Sequence, residues 1–426
     1  MPTIRWAGAS RPEGSGANGT GGNDEARGNA MSKDDRKKTP EKREGRNDAP
    51  ELFAVDASGE VVELDVVEPH AAAEASDASE PSDAAPLWRM PAETEPQDRI
   101  WMAFPPDGGY LGDTAGELDE ARTAWCEVAH SILRFEPVTM VVDPHDLAAA
   151  RRYLSSEVEL VTAPLDDAWM RDIGPTFVLG ENGRLGGVTW RFNGWGAQDW
   201  AQWGSDSVIG ALVAARAGVT RVVSNLVNEG GAIHVDGLGT VLLTETVQLD
   251  PGRNPELSKE DVEAELARTI GTTNPIWLKR GLYRDAKRFG TRGHVDIVAT
   301  IPAPGRMLVH SQQDASHPDH EITRDILDTL RASRTPGGAE WDIVEVPAPQ
   351  VLRDEEDFVD YSYINHLVVN GAVIACTFDD PNDEQALDIL GEAYDGREVV
   401  GVDARAIFER GGGIHCITQQ QPRVVG

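Results

Sequence analysis

Cysteine is scarce: the 426-residue chain has three. That excludes a disulfide framework, which needs paired, closely spaced cysteines in a small secreted domain. No apolar run reaches the roughly 20 residues that a membrane-spanning helix requires. Residues 1–19 are rich in Gly and Ser and lack the apolar centre of a secretory signal. No His-Glu-x-x-His pair is present to seed a zinc site. Positive charge is also short, 39 Lys and Arg against 72 Asp and Glu, for a net charge of -33. A field of that sign repels nucleic acid and anionic membrane and draws small cations toward a cleft, although it serves solubility equally well. The expectation is a cytoplasmic protein with no nucleic-acid or membrane partner, and a homo-oligomer remains compatible with it.

What the chain does have is a globular composition, 40% hydrophobic with 11 Trp, enough for a core. Residues 1–86 form a low-complexity extension expected to be disordered. It holds the basic run Arg36-Lys37-Lys38, and from 51 to 86 it has ten acidic residues and no Lys or Arg. Within it, Leu52-Phe53-Ala54-Val55 and Val61-Val62-Glu63-Leu64 suggest a strand pair, and Met31 offers a second start codon. The globular part runs from 87 to 426. Leu118, Ala121, Trp125, Val128, Ile132 and Phe135 recur at three- and four-residue steps, an amphipathic helix. Further helices are expected at 145–154, 205–217, 258–270, 320–334 and 382–394, with Ser258 and Asp261 forming a capping box. Strands are expected at 100–104, 138–142, 158–162, 175–179, 187–192, 240–245, 295–301, 306–310, 363–369 and 372–378. Adjacent strand pairs separated by single helices give an α/β or α+β class and argue against a purely parallel sheet.

Four glycine-marked segments concentrate reactive residue types. In Trp169-Met170-Arg171-Asp172-Ile173-Gly174-Pro175 the charged pair precedes a Gly-Pro breaker, and alone it reads as a surface turn. In Asn228-Glu229-Gly230-Gly231 a carboxylate stands beside backbone that a ligand could approach closely. In Gly293-His294-Val295-Asp296 a strand would point His294 and Asp296 to one side. Gly411-Gly412-Gly413-Ile414-His415-Cys416 sets one thiol among glycines and polar residues, whereas Cys126 and Cys376 sit in apolar patterns and read as core. An internal echo links Gly230-Gly231-Ala232-Ile233-His234-Val235 to the Cys416 segment, and His234-Val235-Asp236 to His294-Val295-Asp296. Repeats of one structural unit would produce both echoes.

These residues fit attack on a guanidinium. That planar cation needs carboxylates along its N–H edges, a soft nucleophile perpendicular to its plane, and an acid/base to protonate the leaving nitrogen and activate water. Two Asp, one Glu, one His and one Cys supply all three without a metal or cofactor.

In these motifs, together with Met90-Pro91-Ala92-Glu93, the chain resembles the agmatine deiminase and bacterial peptidyl-arginine deiminase family over roughly 90–422. The resemblance implies a pentein-type α/β propeller of five ββαβ-like modules around a central active site, with 87–426 as the catalytic domain. It implies Cys416 as the nucleophile, His294 as general acid/base, Asp172 and Asp296 as the guanidinium clamp, Glu229 as the acid that orients His294 and holds a substrate nitrogen, and Trp169 as a wall of the substrate channel. Agmatine is the implied substrate, giving N-carbamoylputrescine and ammonia. Two departures bear on the substrate's tail. The family's Asn between the third glycine and Ile is missing before Ile414, and Phe104-Pro105-Pro106-Asp107-Gly108-Gly109-Tyr110 replaces a Trp-Pro-x-Arg-x-Asn-Trp stretch. Arginine, peptidyl-arginine or another guanidine therefore stays open as substrate, as does amidino transfer. A metal site at the two His-Val-Asp triplets and a non-catalytic binding protein are the weaker alternatives.

Overall fold

The computed structural model describes residues 53–55, 61–63 and 88–424; the rest of the 1–86 extension, with its expected disorder, lies outside the described residues. Inside the extension, Phe53–Val55 pairs antiparallel with Val61–Glu63, within the two runs expected to pair.

From residue 88 onward one connectivity recurs in five sheets. A first strand pairs antiparallel with a second, and a helix then carries the chain to a third strand parallel to the second. Two adjacent strands need only a tight turn, whereas a parallel return needs a crossover of a dozen or more residues, which the helix provides. In chain order the complete units are Thr176–Gly180, Leu185–Arg191, helix Ile209–Arg216 and Thr220–Val227; Ile233–Val235, Thr240–Thr244, helix Lys259–Ile270 and Asn274–Leu278; Ala299–Ala303, Arg306–Ser311, helix Asp319–Ala332 and Asp342–Pro347; and Leu367–Val369, Ala372–Thr377, helix Asp383–Ala393 and Glu398–Asp403. The remaining unit is split between the chain ends. Its first strand is Thr418–Pro422, paired antiparallel with Gln97–Ala103, and helix Ala115–Leu133 leads on to Val138–Val142. Residues far apart in sequence are thus locked side by side, and the segment just before Thr418 is fixed by a central strand.

The local sequence explains these elements. Leu118, Ala121, Trp125, Val128 and Ile132 all face the core along Ala115–Leu133. Lys259–Ile270 begins at the expected capping box, with Ser258 Oγ accepting from Asp261 N at 3.2 Å and Asp261 Oδ2 accepting from Ser258 N at 2.9 Å. It ends at Gly271, whose φ of 74 supplies the left-handed cap. Cys126 and Cys376 are buried, and burial pushes each thiol up to about 12. Among the described residues no helix is long and apolar enough to cross a membrane.

Two expected strands begin later than their apolar patterns suggest. The run 295–301 starts its strand only at Ala299, and 363–369 only at Leu367. The preceding residues form turns instead: Ser362 Oγ accepts from Ile364 N and donates to Ile297 O, and Val295 O accepts from Val298 N and Ala299 N. Apolar side chains fill these turns because they are buried, so hydrophobicity alone reads them as strand.

Replacing Ser258 with Ala removes one partner of the capping box. The expected loss is about 1 kcal/mol of stability, read as a lower urea midpoint, with turnover unchanged because the cap lies on an exposed surface.

Candidate active site

The five first strands share a property that the connectivity makes visible. The residues just before each one converge on a single buried centre. Asp172 precedes Thr176–Gly180, Glu229 precedes Ile233–Val235, His294 and Asp296 precede Ala299–Ala303, Asn365 precedes Leu367–Val369, and Cys416 precedes Thr418–Pro422. The echo between Gly230–Val235 and Gly411–Cys416 is out of register with the recurring unit: Ile233–Val235 is the first strand of its unit, whereas Gly411–Cys416 ends before the strand at Thr418 begins.

The close approach is visible at Gly231. A Cβ there would lie 2.6 Å from His294 Nδ1, 2.9 Å from Asp296 Oδ2 and 3.1 Å from Asp172 Oδ1. Three side chains from two units therefore meet over one bare backbone position of a third. His294 and Asp296 point to the same place, but from a turn and not from a strand, so the alternation argument for them is corrected while their pairing stands. Glu229 is wholly buried and lies 3.3 Å from His294 Nε2, and its other neighbour is Arg253, whose Nε donates to both carboxylate oxygens at 3.0 and 3.1 Å. Asp172 accepts from Trp195 Nε1 at 2.8 Å and from Gly231 N at 3.1 Å, and stands 3.8 Å from His294 Nδ1. The Trp169 ring packs edge-on to Trp125, and a Cβ on Gly412 would be 2.8 Å from it and 3.0 Å from Cys416 Sγ. All six residues expected from the sequence are thereby brought to one site.

Arg171 and Asp172 are not the solvated surface pair that the motif suggests in isolation. Arg171 is 1% exposed and reaches away from the centre toward Glu93, at 3.7 Å. Its Nε donates to His415 O at 3.2 Å and its backbone N–H to Cys416 O at 3.0 Å. His415 bridges two carboxylates, with Nδ1 2.9 Å from Asp296 Oδ2 and Nε2 2.8 Å from Glu93 Oε1. A ring with a carboxylate on each nitrogen must carry both protons to satisfy them. The other triplet histidine is structural: His234 Nε2 accepts from Ile301 N at 2.9 Å, and burial pushes it down to about 4. The metal reading of the two triplets has no support in this arrangement.

The electrostatics follow from burial and neighbours. Burial works against the charged form of His294, but Asp172 and Glu229 push it up to about 9. Burial raises Asp172 to about 6, against the pull of His294. Asp296 and Glu229 are lowered despite burial, by His415 and by Arg253 with His294 respectively. Burial pushes the Cys416 thiol well above its usual value, helped by Asp296 and Asp172 and opposed by Gly413 and Asn365. The centre is thus a desolvated cluster of acids around a thiol that burial holds protonated, a setting suited to a planar cation.

The Porphyromonas-type peptidyl-arginine deiminase model matches residues 89–422. The chain belongs to that family. A Streptomyces coelicolor relative, provisionally named agmatine deiminase, is 56% identical over 79% of this chain and 99% of its own length. The agmatine deiminase of Pseudomonas putida is 38% identical over 79% of this chain and 96% of its own. The solved agmatine deiminase of Enterococcus faecalis superposes with a TM-score of 0.75 at 32% identity, covering 80% of this chain and 97% of that one. The pentein α/β fold expected from the motifs is the fold of these relatives.

Several residues at the centre were not singled out from sequence. Asn365 lies in an apolar run that reads as strand, and its only signal is a polar pair, Asn365-His366, that burial would oblige to find partners. Arg253 lies in a Pro/Gly-rich stretch that reads as loop. Trp195 stands between glycines after Asn193, a combination that marks a left-handed turn.

Gly231→Ala should cut kcat/KM by about a hundredfold or more, because it displaces the three side chains that meet there. Steady-state kinetics checks this, with circular dichroism to show that the fold persists.

Proposed function

We propose that this enzyme hydrolyses the guanidino group of agmatine to N-carbamoylputrescine and ammonia through a covalent intermediate on Cys416. The observation that carries the reading is the meeting of Asp172, Glu229, His294 and Asp296 around one buried thiol. The relatives that bear the agmatine deiminase name support the choice of substrate.

The guanidinium is held along its N–H edges by Asp172 and Asp296. Its positive charge offsets the two carboxylates that keep the thiol protonated, so the sulfur loses its proton to solvent as the cation binds. The thiolate attacks the guanidinium carbon and forms a C–S bond. His294, charged at neutral pH, gives its proton to a terminal nitrogen, the C–N bond breaks and ammonia leaves. A cationic amidino-thioether remains on Cys416, with His294 neutral. His294 then takes a proton from water while the oxygen attacks the same carbon. Collapse breaks the C–S bond, returns the thiolate, and releases the ureido product with loss of one proton. Glu229, clamped by Arg253, holds His294 in place through both proton transfers.

Cys416→Ala should abolish ammonia release from agmatine while leaving agmatine binding measurable by calorimetry; turnover surviving in this variant would end the covalent reading. A panel of agmatine, arginine and arginyl peptides decides the substrate, and product that depends on an added amine would indicate amidino transfer. In wild type, kcat/KM should be bell-shaped in pH. It falls below about 6 as Asp172 is protonated and the clamp loses a charge, and above about 9 as His294 loses the proton it must donate. Flat activity across pH 5 to 10 would rule out these roles.

A further inference from the structure

Among the described residues the thiol has a neutral side-chain hydrogen-bond donor whose orientation is fixed by the backbone around it. Asn365 is fully buried, and its Oδ1 accepts from His415 N at 3.0 Å and Cys416 N at 3.4 Å. With the oxygen committed to two N–H donors, the amide cannot be turned over without setting its NH2 group against them. Its Nδ2 therefore lies 3.2 Å from Cys416 Sγ, where a thiolate can accept from it, with Asp296 O at 3.4 Å as the second acceptor; Oδ1, 3.4 Å from the same sulfur, accepts from the thiol form. The backbone holds the side chain from the other direction too, because Asn365 O accepts from His415 N at 3.1 Å and from Cys376 Sγ at 3.1 Å. Gly413 makes room for it: a Cβ there would lie 2.5 Å from Asn365 Oδ1.

The carboxylates near the sulfur favour the opposite protonation state. Asp296 Oδ2, 3.5 Å from Sγ, accepts from a thiol and repels a thiolate. Asp172 adds charge of the same sign at the same centre. Asn365 Nδ2 is a donor that a thiolate can use and that brings no charge to neutralise the carboxylates needed for the cation.

We propose that Asn365 is a further catalytic residue, whose Nδ2 donates a hydrogen bond to the Cys416 thiolate as it attacks and again as it is expelled from the covalent adduct. No proton is transferred by Asn365; the N–H stays on the amide in both steps. It performs at sulfur the task that a fixed amide performs for a developing oxyanion, placed beforehand and requiring no reorganisation during reaction. The proposal rests on Cys416 as the nucleophile and is independent of which guanidine is the substrate.

The test uses Asn365→Asp, which keeps the oxygen that caps the two backbone amides and removes the NH2 donor, and Asn365→Ala, which removes the donor without adding charge. The first readout is alkylation of Cys416 by iodoacetamide in full-length enzyme without substrate, with Cys416→Ala as the blank for Cys126 and Cys376. At pH 9 both variants should be alkylated about tenfold more slowly than wild type, as loss of a charge-assisted hydrogen bond to the thiolate requires. The second readout is steady-state turnover, in which kcat should fall by about a hundredfold or more while KM changes far less. Melting curves establish that each variant is folded, and either folded variant suffices. Alkylation and kcat within about threefold of wild type would overturn the proposal. If agmatine is not turned over by wild type, the alkylation arm still decides the role of Asn365, so the two failures are distinguishable.

Discussion

Placing several carboxylates out of water around one thiol is the constraint on which this structure depends. Each buried ion loses several kcal/mol of hydration and must find a partner. Glu93, Asp172, Glu229 and Asp296 are all buried, and so are Arg171, Arg253, His294 and His415. With both histidines protonated, the four acids meet four cations. Asp250, the second partner of Arg253, lies at the edge of this set and is partly open to solvent. A neutral thiol fits that balance, and a thiolate does not. When a guanidinium enters, the sulfur can release its proton and the balance is restored. The same charge count explains why the buried thiol is held protonated and why a cation is the natural trigger for its ionisation.

Partners are shared unevenly, and the unevenness assigns the work. Arg253 faces both oxygens of Glu229, and His415 joins Asp296 to Glu93. Asp172 receives only neutral N–H donors, from Trp195 and Gly231, beside the more distant charge of His294. The outer cations hold their carboxylates charged and oriented. They also come from different units: Arg253 follows the second strand of its sheet, while His415 enters the strand that joins the C-terminal end of the chain to Gln97–Ala103. A change in any unit that moves its first strand therefore moves one member of the cluster relative to the others.

The sequence made the reactive groups legible because their chemistry is written in residue types and glycines: a thiol among glycines, a Glu before two glycines, a His and an Asp two apart. The recurring unit was not legible, since the two short echoes fall at different points of it. Its first strands are brief, and two of its third strands, Asp342–Pro347 and Glu398–Asp403, are partly exposed, so these give no clear alternating pattern. Asn365 escaped notice because a buried turn and a buried strand have the same apolar composition. Glu93 was visible as part of a motif, but its role was not, since its partner His415 lies at the other end of the chain. What cannot be read locally is which polar residue compensates which, because that is decided by the closure of five units around one point.

Trp195 illustrates what such an arrangement costs. Gly194, Trp195, Gly196 and Ala197 all have positive φ, at 67, 55, 91 and 54, so the chain makes a single left-handed turn. Asn193 holds it, with Oδ1 accepting from Gly196 N at 3.0 Å and its carbonyl from Ala197 N at 2.9 Å. For residues with a Cβ this conformation costs about 1–2 kcal/mol each, and Trp195 and Ala197 both have one. The turn aims the indole N–H at Asp172 and stacks the ring on Trp200, at 5.6 Å between centroids. A cationic side chain in place of the indole would cancel the charge that the substrate must meet. A neutral donor orients the carboxylate and leaves its charge unspent. Strain of this kind is retained where orientation is required and compensation is not, and the acid left without a cation of its own marks where the guanidinium binds.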